Sequence, residues 1–212
     1  MHCEEPRMAG SAVSVGLLRH GETTWNRSGK IQGRTETALS PVGEAQARDW
    51  GKELTSGGWE HILCSPMLRA ERTALLVNES LNLPLSMDER LVEQDWGRWT
   101  GRTIAELRTE FSGEVERQEG RAWRFQPPGG ENRLALLHRG KSAVTDCLRA
   151  HPRKNILVIT HLGLIKCLVC DILGCTFLPG EPSPVKKRRM QILKWKKRRL
   201  EVDRLNVNLF KA

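Results

Sequence analysis

Residues 156–160, Ile-Leu-Val-Ile-Thr, constrain this chain more than any other stretch. An unbroken apolar, β-branched run reads as a strand covered on both faces. Residues 162–173 follow it directly with an apolar helical pattern. A strand buried on both faces and feeding straight into a helix belongs to a mainly parallel sheet between helical layers. The same arrangement recurs upstream. Residues 13–18 form a short apolar strand ending in Arg-His-Gly, residues 61–64 form another, and a third begins at Leu83-Pro84-Leu85. Ser40 is an N-cap, with Pro41 at the first helical position of a helix running to about residue 54. Gly57-Gly58 lies beyond its end. Ser65-Pro66 opens a second helix through about residue 81. Residues 103–111 read as helical, and residues 131–150 carry helical periodicity through Leu134, Leu137, Val144 and Leu148.

Two segments do not fit this pattern. Residues 91–101 contain Trp96, Gly97, Trp99 and Gly101 and read as an irregular loop, and residues 112–130 are polar and end in Pro-Pro-Gly-Gly. In the tail, Met190, Ile192, Leu200 and Val202 fall at period two around a basic turn at 196–198, so a hairpin is expected over residues 186–206, within the domain. The expected architecture is α/β: three layers, a mainly parallel sheet with helices on both faces, in one domain over residues 1–212. Residues 1–12 are expected to be an unstructured start.

Of the 212 residues, 39% are hydrophobic and 28% charged, as in soluble globular proteins. No apolar run reaches the roughly 18 residues that span a bilayer. The first ten residues lack the apolar core of a secretory signal, so a cytoplasmic protein is expected. The six cysteines are scattered, mostly in apolar segments, and read as reduced packing residues. Cys167-x-x-Cys170 with Cys175 faintly suggests a metal site, but no second pair completes four ligands. A net charge of +9, with basic clusters at 186–189 and 194–199, favours anionic partners. No zinc finger or groove-reading helix supports a nucleic-acid-binding or interaction module, the reading from another class.

Chemistry concentrates at three strand ends. Arg19 and His20 close the first strand, Arg69 follows the second, and His161 follows the run at 156–160. In open α/β sheets, ligands bind beyond the carboxyl ends of the strands. Two arginines and two histidines are therefore delivered to one edge of the sheet.

The residues Arg-His-Gly-Glu-Thr-Thr-Trp-Asn (19–26) resemble the signature of the histidine phosphatase superfamily, which includes cofactor-dependent phosphoglycerate mutases. The likeness continues in order through Gln32-Gly33, Leu39-Ser40 with Gly43, SPMLRAERTA at 65–74, Leu91-Val92-Glu93, Asp95-Trp96-Gly97, PPGGEN at 127–132 and Val158-Ile159-Thr160-His161. It spans residues 13–175 and implies a phosphoglycerate mutase-like fold. It further implies a phosphomonoester hydrolase needing neither metal nor cofactor. His20 would be the nucleophile, Glu93 the acid and then the base, and Arg19, Arg69 and His161 the donors to the phosphoryl group. Thr23, Asn26, Gln32, Gly33 and the backbone N–H of Leu162 would complete the phosphate and substrate site. Glu22 is a competing carboxyl, read as peripheral.

Leu162 stands where the family often has glycine, Glu36 and Ala38 where it often has Asp and Pro or Leu, and Asn132 where it often has Ser. A glycolytic mutase of the family carries Arg directly after the catalytic Glu and a longer insert. Here Gln94 follows Glu93, and residues 125–131 are short. Phosphatase is therefore the leading reading and mutase the alternative. The expected partner is a small phosphorylated substrate, with no nucleic acid and no membrane, and a homodimer is left open. Trp96, Trp99, Trp123 and Phe125 either pack or touch an organic moiety of that substrate.

Overall fold

The computed structural model describes residues 12–209. The expected irregular start at 1–12 lies outside them except for Ala12. The strands are β1 (Val13–Arg19), β2 (His61–Cys64), β3 (Leu85–Met87), β4 (Ile156–Thr160), β5 (Met190–Lys196) and β6 (Arg199–Val207). The helices are α1 (Thr24–Arg27), α2 (Pro41–Leu54), α3 (Leu68–Leu81), α4 (Ile104–Glu110), α5 (Ser112–Glu119), α6 (Arg133–Ala150) and α7 (Leu162–Leu173). One sheet orders the strands β3-β2-β4-β1-β5-β6. Its first four are parallel, and β5 and β6 are antiparallel.

The alternation hidden in the apolar run is resolved by the two cores. Ile156 and Val158 of β4 face a cluster with Leu136, Val144, Leu164 and Leu168 of α6 and α7. Leu157 and Ile159 face the opposite way, onto Ala47, Trp50, Ala74 and Val77 of α2 and α3. Successive side chains of a strand point to opposite faces, so a strand central in the sheet must be apolar at every position. This is the three-layer fold expected.

Local chemistry set several boundaries. Ser40 caps α2 by accepting from the Gly43 N–H at 3.1 Å, and Pro41 occupies the first turn. By contrast, α3 does not begin at Ser65-Pro66. It begins at Leu68, with Met67 as N-cap and no side-chain cap bond. Ser65 instead extends the β2 ladder, its N–H donating to the Ile159 carbonyl at 3.0 Å, and its hydroxyl meets His161. The third strand starts two residues later than expected, because Asn78 holds both the N–H and the carbonyl of Leu83. The polar stretch 112–130 contains a helix, α5, anchored by buried Val115. The tail folds as a hairpin, closed by Lys197 and Arg198, both with positive φ (48° and 62°). A two-residue turn with both residues left-handed matches the twist of antiparallel strands.

Candidate active site

The ends of β1, β2 and β4 place the site. His20 extends β1 by one residue, its N–H donating to the Thr160 carbonyl at 3.0 Å. His161 follows β4 as the N-cap of α7. The two imidazoles lie 5.3 Å apart, centroid to centroid, and both are buried. His20 Nδ1 lies 2.8 Å from the carbonyl of Gly21. A carbonyl can only accept, so Nδ1 carries the proton and Nε2 keeps its lone pair. Burial lowers the pKa of His20 well below its ordinary value, and the charges of Arg19 and Arg69 lower it further. His20 is therefore neutral at neutral pH with the Nε2 lone pair free, the state that nucleophilic attack would require.

The donors around it are held from behind. Arg69 is buried, and its two terminal nitrogens donate to the carbonyls of Thr35 (2.9 Å) and Gly33 (2.8 Å). Its Nε has no partner. Arg19 Nε and His161 Nδ1 are also buried without partners. Buried donors are nearly always satisfied, and an anion with several oxygens could satisfy these three, which lie on residues around His20. His161 Nε2 lies 2.9 Å from the Ser65 hydroxyl. That hydroxyl accepts from the Met67 N–H at 3.4 Å and so is free to donate to Nε2, leaving Nδ1–H as the open donor. Burial, then the charge of Arg69, keeps His161 neutral.

Arg19, His20 and Arg69 line a cavity of about 590 Å³, whereas His161, fully buried beside His20, does not line it. Glu93 is the single acidic residue among those lining it. Its carboxylate accepts from the backbone N–H of Gln94 (2.9 Å) and of Gly163 (3.1 Å). A Cβ on Gly163 would sit 2.4 Å from Glu93 Oε1, so glycine is what lets α7 approach the carboxylate. Glu22 is placed elsewhere. It pairs with Arg188 at 2.7 Å and Arg27 at 3.5 Å and does not line this cavity.

Among the remaining expected residues, Asn26, Gln32, Gly33 and Leu162 line the cavity. Thr23 does not. It is fully buried, caps α1 and donates its hydroxyl to Gln32 Oε1 at 3.1 Å. The Asn26 side-chain oxygen accepts from the Thr23 N–H at 3.1 Å, leaving its amide nitrogen for other partners. Trp99 and Phe125 pack into a small separate core with Leu107 and Val115. Trp123 stacks edge-on against Phe177 at 4.5 Å. Of the four aromatics considered, Trp96 reaches the cavity.

Sequence reasoning missed two groups. Arg139 of α6 clamps the segment carrying Glu93, donating to the carbonyls of Arg90 (2.7 Å), Val92 (2.6 Å) and Glu93 (3.0 Å) and pairing with Glu131 at 2.7 Å. Helical spacing gave no hint of this, because the three carbonyl partners lie more than 40 residues away in sequence. The second group is a cationic rim: Lys30, Arg133, Lys166, Lys187 and Arg188 all line the cavity. Lys166 was visible in principle, being one turn beyond Leu162 on the same face of α7.

Comparison with known proteins places the chain in a family. The sequence profile of the histidine phosphatase superfamily (branch 1) matches residues 15–208. The uncharacterized phosphatase PhoE of Bacillus subtilis is 32% identical over 171 residues, covering 81% of this chain and 80% of that one. A probable phosphoglycerate mutase, GpmB, of Salmonella paratyphi B is 35% identical over 167 residues, covering 76% and 75%. The solved structure of a mycobacterial glucosyl-3-phosphoglycerate phosphatase in complex with VO3 superposes with a TM-score of 0.80 at 26% identity, covering 93% of this chain and all of that one. No described helix is long and apolar enough to cross a membrane. A profile match over nearly the whole chain, with phosphatases among both its relatives and its structural neighbours, makes this chain an enzyme of the histidine phosphatase superfamily.

Proposed function

We propose that the chain hydrolyses a small phosphomonoester through a phosphohistidine at His20, and that the substrate carries a second anionic group. The observation behind the first part is the set of three unpartnered buried donors around a histidine whose Nε2 is free. In the first step, Nε2 attacks phosphorus in line, the N–P bond forms, and the bond to the leaving oxygen breaks. Glu93 gives that oxygen its proton. Arg19, Arg69 and His161 stabilise the charge spread over the equatorial oxygens, and the amino end of α7 adds its positive pole. In the second step, Glu93 takes a proton from water, the oxygen attacks phosphorus, and the N–P bond breaks to release phosphate and neutral His20.

The second part rests on the rim. Besides Arg188, which pairs with Glu22, four cations of the rim line the cavity with one carboxylate, Glu93, an excess beyond what one phosphoryl group needs. A carboxylate or second phosphate on the substrate would neutralise part of it.

Acid-labile, base-stable label trapped on the protein after acid quench, absent in His20→Ala, tests the mechanism, with phosphate release continuing in excess chelator. Label on serine or cysteine, undiminished turnover by His20→Ala, or activity lost to chelator and restored by magnesium would overturn it. Assay against phosphoglycerates separates the alternative: release of inorganic phosphate marks a phosphatase, and interconversion of the 2- and 3-isomers marks a mutase.

A further inference from the structure

Three metal-ligating side chains from distant parts of the chain converge at the other end of the sheet. His61 opens β2, Cys147 lies in the last two turns of α6, and His151 immediately follows that helix. One ligand atom from each lies within 4.8 Å of the other two. Ser65, behind the catalytic floor, is four residues along from His61, or about 13 Å at the rise of a strand. The cluster is thus separate from the phosphoryl site.

We propose that His61, Cys147 and His151 form a binding site for a zinc-type transition metal ion, with solvent as fourth ligand. The cluster has the features such a site requires. Two imidazoles and a thiolate suit zinc or a comparably soft divalent ion and do not suit magnesium or calcium. His61 is only 5% exposed, and its Nδ1 is buried without any hydrogen-bond partner. Its other nitrogen lies 2.8 Å from the Ser86 hydroxyl. A metal-ligating histidine normally has its second nitrogen fixed by just such a partner, so Ser86 leaves the Nδ1 lone pair for the ion. The rings of His61 and His151 are 4.4 Å apart, and Cys147 and His151 are spaced i, i+4, which puts them on one side of the helix end.

Tetrahedral zinc with these ligands needs their atoms somewhat closer, about 3.3–3.8 Å apart from bond lengths of 2.0–2.3 Å. Cys147 and His151 are only partly buried and can make that adjustment, while Ser86 and the sheet hold His61. Burial raises the Cys147 thiol to about 11, so binding displaces its proton to solvent as the metal–sulfur bond forms. The bound ion would tie the end of α6 to the head of β2. Cys167, Cys170 and Cys175, the grouping the sequence singled out, do not assemble with a further ligand of this kind among the described residues.

Cobalt(II) titrated into the reduced full-length protein reads the site directly. The expected spectrum has a thiolate-to-metal charge-transfer band and intense tetrahedral visible bands at one equivalent, displaced by zinc. Cys147→Ser should remove the charge-transfer band. His151→Ala, at a partly exposed position outside the helix, should weaken zinc binding at least about 100-fold, and Ser86→Ala about 10–100-fold. All three should leave hydrolysis of p-nitrophenyl phosphate unchanged. Cys175→Ser should leave the spectrum intact. No saturable band at one equivalent, or a band that survives Cys147→Ser and disappears in Cys175→Ser, would overturn the assignment. So would zinc affinity unaltered in His151→Ala.

Discussion

The floor of the cavity and its rim are built on opposite terms. His20, Arg69 and His161 are buried, come from strand ends or the turn just after, and are each tied to a backbone carbonyl or buried hydroxyl. Lys30, Lys187 and Arg188 are exposed and come from loops and from the approach to the C-terminal hairpin. In the proposed reaction the floor would fix what is done to a phosphoryl group, because its donors cannot move without breaking these bonds. The rim would then fix which molecule brings that group, and its exposed side chains Lys30 and Lys187 can be exchanged at little structural cost. A site divided this way keeps one chemistry and changes substrates.

Arg69→Ala should have the largest effect of those that test this division. Its open Nε is proposed to meet the phosphoryl group, whatever the leaving group is. Adduct formation from aryl and alkyl phosphates should fall alike, by about 10²–10³-fold or more. Stability should also fall, by about 1–3 kcal/mol for each buried carbonyl left unpaired at Gly33 and Thr35. Unequal losses for the two substrates would place Arg69 on the leaving-group side.

Glu93 lies on the boundary between floor and rim, so its effect should depend on the leaving group. An alkoxide needs a proton to depart and a nitrophenolate scarcely does. Single-turnover adduct formation by Glu93→Gln should drop about 10²-fold with an alkyl phosphate and far less with p-nitrophenyl phosphate. Equal losses would remove Glu93 as the acid and send the same comparison to Glu22.

The buried floor also predicts a dependence of stability on pH. His20 and His161 have pKa values well below the ordinary 6.5 when folded. Below that value the unfolded chain binds protons that the folded chain refuses. Stability therefore falls as pH drops below about 6.5, and the slope approaches about 1.4 kcal/mol per pH unit for each such histidine. Chemical denaturation between pH 7 and 5 should show a slope shallower by about one proton in His20→Asn. A slope identical to wild type would mean that His20 titrates normally in the folded protein.

The floor was legible in the sequence because its residues sit beside strong local signals. Arg19 and His20 end an apolar strand, and His161 follows another, so strand position alone brings them together. Arg69 was legible despite the misplaced start of α3, since either boundary puts it in the first helical turn. Thr23 shows the limit of this reading: its hydroxyl type suits a phosphate donor, but capping α1 and bonding Gln32 place it below the cavity. The Arg139 clamp and the convergence of Lys30, Arg133, Lys187 and Arg188 depend on contacts between segments far apart in sequence. No periodicity encodes them, and the basic run 186–189 gave only its charge, not the direction in which Arg188 reaches.

The smallest effect expected is the most selective test of the rim. Lys166 lies on α7 one turn beyond Leu162, half-buried and facing the cavity. Burial, reinforced by the charges of Lys187 and Arg133 and partly opposed by that of Glu93, lowers its pKa from the usual lysine value. A poorly solvated ammonium gains from an anion brought beside it. Lys166→Met keeps the stem that packs in the helix face and removes the charge. With a substrate bearing a second anionic group, such as a phosphoglycerate, KM should rise about 3–10-fold, which is about 0.7–1.4 kcal/mol of lost binding. The kcat should hardly change, because the contact is the same in ground and transition states. With p-nitrophenyl phosphate, which has no second anion, neither constant should move. In the wild type, added salt should raise KM for the first substrate more than for the second, as screening of an exposed rim requires. If Lys166→Met raises KM equally for both, the ammonium belongs with the phosphoryl donors of the floor, and the rim has one member fewer.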